Sequence, residues 1–136
     1  MLKEQNLDSM EEIKKWEVNI FDFPQTVNVE GIHDDYEGFR IILRGGNPSR
    51  VYKLSFENYL GYRNFDESYR LKSLNMFPNN SREWCLFISK DSDFINWAVI
   101  ESEGFQTKEK IIHFYIATPN DIVEVLSFEE PEIEEL

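Results

Sequence analysis

The chain has 136 residues, a length typical of one domain, and 41% are hydrophobic, with 11 Phe, 6 Tyr and 3 Trp to fill a core. Its 26 acidic and 14 basic residues give a net charge of −12, which disfavours direct nucleic-acid binding because a polyanion needs a positive surface. The single cysteine excludes an intramolecular disulfide.

The N-terminal segment lacks a positively charged region followed by an apolar stretch, as a secretion signal would have. No window of the sequence approaches the roughly 20 apolar residues needed to cross a bilayer. We therefore expect a cytoplasmic protein with no membrane association. Cys85 lies in the apolar run from Trp84 to Ile88, which predicts a buried strand rather than a reactive thiolate.

The first predicted element is an N-terminal helix. Ser9 and Glu12 have the spacing of a capping box, and Met10, Ile13 and Trp16 follow at helical spacing. This pattern predicts a helix of about two to three turns.

A short strand is predicted next, because Val27 and Val29 alternate with polar neighbours before a turn-rich stretch from Gly31 to Gly38. A hairpin follows, since apolar side chains alternate on both sides of the turn sequence at positions 45–48. These alternating residues are Phe39, Ile41 and Leu43 before the turn and Tyr52, Leu54 and Phe56 after it.

Asp66 is a suitable cap for a short helix through about Asn75. Arg63, Glu67 and Arg70 fall at i, i+4 and i+7, which on a helix is one stripe of alternating charge. Two arginines held by one carboxylate are candidate binding residues for an anion or a partner's acidic group. The structural alternative is a ladder of exposed ion pairs.

A second main helix is predicted to begin at Asp91 or Ser92 and to end near Gly104. Its apolar face is formed by Phe94, Ile95, Trp97, Ala98 and Val99.

The segment from Ile111 to Ser127 predicts a C-terminal hairpin around Thr118-Pro119-Asn120-Asp121. With the turn centred on Pro119 and Asn120, Phe114 faces Val125 and Ile116 faces Val123 on the core side.

That register leaves His113, Tyr115 and Glu124 together on the other face of the hairpin. They are candidate binding residues, and in principle a carboxylate beside an imidazole supplies a general acid and base. No nucleophile or metal cluster accompanies them in the sequence, so the structural alternative is a hydrogen-bonded surface group.

The last nine residues, from Phe128 to Leu136, include five glutamates, and we expect residues 129–136 to form a disordered acidic tail. The acidic group of His33, Asp34, Asp35 and Glu37 matches no metal-binding motif, and we interpret it as a solvated turn. No metal or cofactor is predicted.

Charge is unevenly distributed along the chain. Residues 40–90 carry nine basic and four acidic residues, a net charge of +5, whereas residues 1–39 and 91–136 have net charges of −7 and −10. In one interpretation, the acidic flanks pack beside the basic centre and the charges compensate within the fold. In the other, the acidic excess forms a negative face that steers a basic protein partner.

Together, these patterns predict a single α+β domain over residues 1–128, with a mostly antiparallel sheet of about five or six strands and two main helices. The function we expect is non-enzymatic protein binding, as in an inhibitor that neutralises a basic partner through an acidic face. The alternative is a small hydrolase or small-molecule-binding domain that uses His113, Tyr115 and Glu124.

Two stretches, Tyr62 to Ser68 and Ile112 to Leu126, resemble segments of small uncharacterised bacterial proteins. Some small acidic proteins of that kind serve as immunity partners of secreted toxins. The resemblance covers about a third of the chain, includes no motif of known chemistry, and implies no functional residues.

Overall fold

A computed structural model describes residues 12–70, 77–78 and 83–136. These residues form nine β-strands and one α-helix, together with short 3₁₀ helices at Glu67–Tyr69 and Lys108–Lys110. The elements are β1 (Lys14–Lys15), β2 (Val27–Asp35), β3 (Gly38–Gly45), β4 (Arg50–Phe56), β5 (Tyr59–Asp66), β6 (Leu86–Ser89), α1 (Asp93–Glu101), β7 (Ile112–Ala117), β8 (Asp121–Ser127) and β9 (Glu132–Glu135).

The strands form two antiparallel sheets. The first sheet has the order β1-β6-β7-β8-β5 and the second has the order β2-β3-β4-β9. The prediction of an α+β fold with one sheet of five or six strands and two main helices is therefore wrong, because the described residues contain two sheets and a single α-helix. None of the described helices is both long and apolar enough to cross a membrane.

The two sheets pack face to face on one apolar core, because alternate residues of each strand point toward the opposite sheet. Full burial of a large apolar side chain stabilises the fold by about 1.5–3 kcal/mol. The core includes Val27, Phe39, Ile41, Leu43, Tyr52, Leu54 and Phe56 from the second sheet and Leu86, Phe114, Ile116, Val123 and Val125 from the first.

Both predicted hairpins are present. In the β3–β4 hairpin, Ile41 pairs with Leu54, and the intervening Gly46 has a φ of 93°, a left-handed conformation that favours glycine. In the β7–β8 hairpin, the predicted pairing of Phe114 with Val125 is confirmed.

The pairing of Ile116 with Val123 is confirmed as well. In the turn, the Thr118 hydroxyl oxygen accepts hydrogen bonds from the backbone N–H groups of Asn120, at 3.2 Å, and Asp121, at 2.8 Å. The Thr118 side chain therefore supplies a hydrogen-bond acceptor for these two backbone N–H groups of the turn.

Strand β2 begins where it was predicted but is longer. Residues 31–35, expected to be turn, continue the strand after a bulge between Val29 and Gly31. The bulge leaves one residue of β2 unpaired while the rest of the strand stays hydrogen-bonded to β3.

The predicted N-terminal helix is wrong over the described residues. Lys14 and Lys15 form β1, and the backbone N–H of Trp16 donates to the Leu86 carbonyl at 3.0 Å. This extended path buries both Ile13 and Trp16. The capping residue Ser9 lies outside the described residues.

The helix expected from Asp66 is only the 3₁₀ turn Glu67–Tyr69 where the structure is described. Asp66 does cap that turn, since its carboxylate accepts the Ser68 backbone N–H at 2.9 Å. Residues 71–75 of the predicted helix lie outside the described residues.

Helix α1 has the predicted start. The Ser92 side chain is the N-cap and accepts the backbone N–H of Ile95 at 3.1 Å. Phe94 and Ile95 pack against Ile111 and Leu126, on the face of the first sheet that points away from the second.

The acidic tail differs from its predicted disorder. Glu132–Glu135 forms β9 and pairs with β4, with Ile133 opposite Leu54 and Glu134 opposite Lys53. Ile133 packs against the core, and the Glu134 carboxylate lies 3.1 Å from the Lys53 amine. The alternating apolar residue and the basic strand beside it explain why the run of glutamates is ordered.

We expect Ile133→Ala to lower the free energy of unfolding by about 1–2 kcal/mol, because it removes part of a half-buried apolar contact with β4. Glu134→Gln is the matched control, since it keeps the strand and removes only an exposed ion pair worth about 0–1 kcal/mol. Urea denaturation of both variants measures the difference. Equal stability of Ile133→Ala and the unaltered chain would show that β9 contributes nothing to the core.

Candidate functional site

The face of the first sheet that points away from the second contains a polar line between two apolar clusters. One cluster contains Ile13, Phe77, Phe87, Tyr115 and Ile122, and the other contains Phe94, Ile95, Ile111 and Leu126. Polar groups in such a setting are costly unless they are hydrogen-bonded to one another.

Glu124 on β8 is the centre of this polar line and is 0% exposed. Arg63, its register partner on β5, donates from Nε at 3.1 Å and from Nη2 at 2.9 Å. Arg70 also donates both of its terminal nitrogens to the same carboxylate. One buried anion is therefore held by two guanidinium groups, a charge-assisted arrangement stronger than neutral hydrogen bonds.

His113 on β7 extends the line toward α1. Its Nε2 atom lies 2.9 Å from the Glu124 carboxylate, and its Nδ1 atom lies 2.7 Å from the Ser92 hydroxyl oxygen. A carboxylate only accepts, so the neutral imidazole donates from Nε2 and accepts the Ser92 O–H at Nδ1. The chain of hydrogen bonds thus joins the first turn of α1 to β7, β8 and β5.

The imidazole is kept neutral by its surroundings. Burial, followed by the charges of Arg63 and Arg70, holds the pKa of His113 well below its ordinary value of 6.5. The aromatic ring of Tyr115 stacks on the imidazole with 3.9 Å between ring centroids, and Phe94 contacts it edge-on.

Of the six residues proposed from the sequence, the structure brings Arg63, Arg70, His113 and Glu124 into this one cluster. The predicted helical stripe is wrong in its geometry, because Arg63 lies on strand β5. The carboxylate that holds both arginines is Glu124, 54 positions from Arg70 in the sequence. The side chain of Glu67 lies outside the described structure.

Ser92 is the member of the cluster that sequence reasoning missed. It was recognised only as a helix start, and its contact with His113 lies across 21 positions of sequence. The available signal was the predicted hairpin register, which placed His113 on the face that α1 covers.

Ser92, His113 and Glu124 have the residue types of a hydrolase triad, but their setting does not suit nucleophilic attack. Ser92 is 0% exposed and His113 is 1% exposed, so neither is open to a substrate. The serine oxygen already accepts the Ile95 N–H as the helix cap. The described arrangement is that of a buried link between strands and helix.

Beside this buried cluster lies an open groove of about 650 Å³ between β5 and α1. The Arg63 guanidinium on β5 lies 4.1 Å from the Phe94 ring centre on α1, and Leu60 of β5 and Ala98 of α1 both pack against the apolar cluster that contains Phe94. The lining residues are Leu60, Gly61, Tyr62, Arg63, Phe65, Asp93, Phe94, Trp97, Ala98 and Leu126. Apolar and aromatic side chains therefore dominate the groove wall.

Two of these aromatic side chains are open to solvent. Trp97 is 57% exposed and Phe65 is 47% exposed. Tyr62 is also exposed, but its ring lies on the opposite face of β5 and stacks on Phe39 of the second sheet with 4.8 Å between centroids. Tryptophan and arginine, both present in the groove, are among the residue types most enriched at the energetic centres of protein interfaces.

Many acids of the flanking segments pair with the basic centre of the chain. Asp35 binds Arg40 at 2.8 Å, and Lys53 lies 3.1 Å from Glu134. Further pairs join Arg44 to Glu30, Arg50 to Asp22, and both Arg63 and Arg70 to Glu124. Charge compensation within the fold, the first interpretation of the charge pattern, therefore accounts for these central bases.

The acidic segment at residues 33–37, interpreted from the sequence as a solvated turn, is instead the end of β2 and the turn to β3. Asp34 accepts a hydrogen bond from the Tyr59 hydroxyl, and this bond together with burial raises the pKa of Tyr59 to about 12. Among the described residues, no group of three or more His, Cys, Asp or Glu side chains is arranged to hold a metal ion.

Cys85 is buried in the core at 1% exposure, and its thiol lies 3.5 Å from the Pro24 carbonyl oxygen. Burial raises the pKa of the thiol to about 12, so the nucleophilic thiolate is not formed near neutral pH.

Comparison with known proteins adds no relative, because no family model, curated protein or solved structure matches this chain.

We expect Glu124→Gln to lower the free energy of unfolding by about 3 kcal/mol, because two guanidinium groups and an imidazole lose their shared anion. Asp35→Asn is the matched acid-to-amide control in an exposed ion pair, and it should leave the denaturation midpoint nearly unchanged. Urea denaturation followed by tryptophan fluorescence measures both. Similar midpoints for the two variants would contradict the structural role of the cluster.

The buried imidazole also predicts a pH dependence. Because the pKa of His113 is lower in the folded than in the unfolded chain, its neutral form contributes stability in full above about pH 6.5. That contribution is lost as the pH falls below about 6.5, where only the unfolded chain takes up the proton. Denaturation from about pH 7.5 to 5 should show a steeper loss in the unaltered chain than in His113→Gln. Parallel slopes would contradict the assignment.

Proposed function

We propose that this protein is a non-enzymatic binding module for a basic protein, in the manner of an inhibitor or immunity protein. The observation that carries the proposal is the groove between β5 and α1, whose walls expose Trp97 and Phe65. Large exposed aromatic side chains clustered around one groove of a folded domain are characteristic of a recognition surface.

The net negative charge of the chain supports the proposal that the partner is a basic protein. The 26 acidic residues exceed the 14 basic ones, so pairing within the chain leaves an excess of 12 negative charges. Residues 93–104, which include α1, carry Asp93, Glu101 and Glu103 and no lysine or arginine. A negative field around the groove speeds association with a positively charged protein at low salt.

The burial of the reactive groups supports binding over catalysis. His113, Glu124 and Ser92 are at most 1% exposed, and the Cys85 thiol is held in its protonated form. The hydrogen bonds of Ser92, His113 and Glu124 instead fix the positions of α1 and β5. This buried cluster therefore supports the groove.

A second candidate function is small-molecule binding in the same groove. Its volume of about 650 Å³ falls within the roughly 300–1,000 Å³ range of ligand pockets. In that case the buried side chains of His113 and Glu124 orient Arg63, which lines the groove.

A cytoplasmic location and the absence of a membrane partner are also part of this proposal.

Affinity capture from a lysate of the source organism tests the proposed function. We expect a specific basic protein to be retained at low salt and to bind more weakly at high salt, because salt screens the electrostatic attraction. Trp97→Ala bait should retain at least about tenfold less of it, since the indole is the largest exposed apolar group of the groove.

Phe21→Ala is the matched control, because Phe21 is equally aromatic, is exposed, and is not among the groove residues. Both substitutions are on exposed side chains, so both variants should melt within a few degrees of the unaltered chain. A partner retained equally by all three baits would refute the groove as the binding site.

A further inference from the structure

We infer that the groove between β5 and α1 receives an extended, basic segment of the partner, which pairs with β5 as an additional strand of the first sheet. The inference rests on the proposed function and specifies how the partner binds. It follows from the edge position of β5, the open space over Gly61 and the acids at both ends of the strand.

Among the described strands, β5 lies at the edge of the first sheet and has one side open for pairing. It has eight residues and pairs with β8 along one side, and it is the last strand in the order of the first sheet. No other described strand pairs with its second side. An edge strand presents a row of backbone donors and acceptors, and extended peptides bind such edges by main-chain hydrogen bonds.

The groove beside that edge has room for side chains. Gly61 is the third residue of β5 and lines the groove, and a Cβ atom built on it meets no atom within 4 Å. Its φ lies outside the left-handed region, so the backbone itself does not require glycine. A glycine in a strand marks either an irregularity, such as the register shift between Tyr59 and Gly61, or a place where another chain approaches closely, and the open space over Gly61 fits the second as well.

Side chains of a bound strand alternate between its two faces, and every second one would enter the groove. Leu126 is the register partner of Gly61 on β8, and Trp97 lines the α1 side of the groove. A side chain placed over Gly61 therefore lies in an aromatic and aliphatic setting. This setting favours an apolar residue or the methylene part of a lysine or arginine.

The charges at the ends of β5 favour a basic strand. At its start, Asp34 binds the Tyr59 hydroxyl, and Glu129 accepts from the Asn58 amide at 2.6 Å. At its end, Asp66 is the register partner of Asp121 on β8. In the middle, Arg63 and Arg70 share the single negative charge of Glu124, so this group carries no acidic excess. A strand with basic residues toward both ends complements this distribution.

The same charges disfavour a second copy of the chain as the occupant. Each copy has a net charge of −12, and pairing two β5 edges would bring the acidic ends of both strands together. Like charges placed opposite one another oppose association.

A selection from a library of random peptides displayed on phage tests the inference with a defined probe. Peptides of about 12 residues are long enough to span β5. The full chain is immobilised, and selected sequences are then synthesised and their affinities measured for the unaltered chain, Gly61→Leu and Trp97→Ala. A Cβ atom at position 61 meets no atom within 4 Å, so Gly61→Leu extends a side chain into the groove and should fold about as stably as the unaltered chain, which thermal melting checks.

The expected peptides are basic, alternate apolar and polar residues, and bind both variants at least about tenfold more weakly. Strand pairing adds a sharper requirement. Alternate N–H groups of a bound strand point toward β5, so N-methylation of one set of alternate residues should abolish binding. N-methylation of the other set should leave binding largely intact, and hydrogen exchange of the β5 amides should slow in the complex.

Two results would overturn the inference in distinguishable ways. Peptides that depend on Trp97 but respond equally to both sets of N-methylation, or to neither, would exclude strand pairing and leave the groove as a binding site. Failure to select any peptide that depends on Trp97 would exclude both strand pairing and the proposed function.

Discussion

The fold on the outer side of the first sheet depends on the carboxylate of Glu124. It binds Arg63, Arg70 and His113 in a position with no access to solvent. Removing a carboxylate from water costs several kcal/mol, and this cost is offset only when the surrounding donors are held in good geometry. The apolar clusters on either side provide that constraint, because they fix β5, β7 and α1 around the anion.

This dependence connects the buried cluster to the open groove. Arg63 contributes to both, because its guanidinium binds Glu124 and also lies over the Phe94 ring. Ser92 contributes to both as well, since its hydroxyl caps α1 and bonds to His113. The distance between the two walls of the groove is therefore set by directional hydrogen bonds as well as by apolar packing, which keeps the groove open in the absence of a partner.

Local sequence signals predicted the two hairpins and the start of α1, whereas the helical spacing of Ile13 and Trp16 was misleading, because that segment is extended. The alternation around Thr118 to Asp121 predicted the register of the β7–β8 hairpin, and with it the proximity of His113 and Glu124. The capping signal of Ser92 predicted the start of α1. In each case the partners are close in sequence, so turn chemistry and alternation are sufficient to pair them.

Pairing between segments that are distant in the sequence could not be predicted from such local signals. The division into two sheets and the pairing of β9 with β4 depend on contacts between distant segments. The run of glutamates has a composition typical of disorder, and only the presence of Lys53 and Leu54 on the neighbouring strand reverses that expectation. Likewise, Arg63 and Arg70 have helical spacing, but pairing with β8 places Arg63 on a strand.

The position of Cys85 provides a kinetic probe of the whole core. It is the single cysteine of the chain, and its sulfur is enclosed between the two sheets beside the Pro24 carbonyl. A thiol-specific dye can react only after the sheets separate or the segment at Pro24 lifts away, since the closed form offers neither access nor thiolate. The labelling rate of the unaltered chain therefore reports the opening of the sandwich directly, without engineered cysteines, and a partner seated between β5 and α1 should slow it by stabilising the closed form.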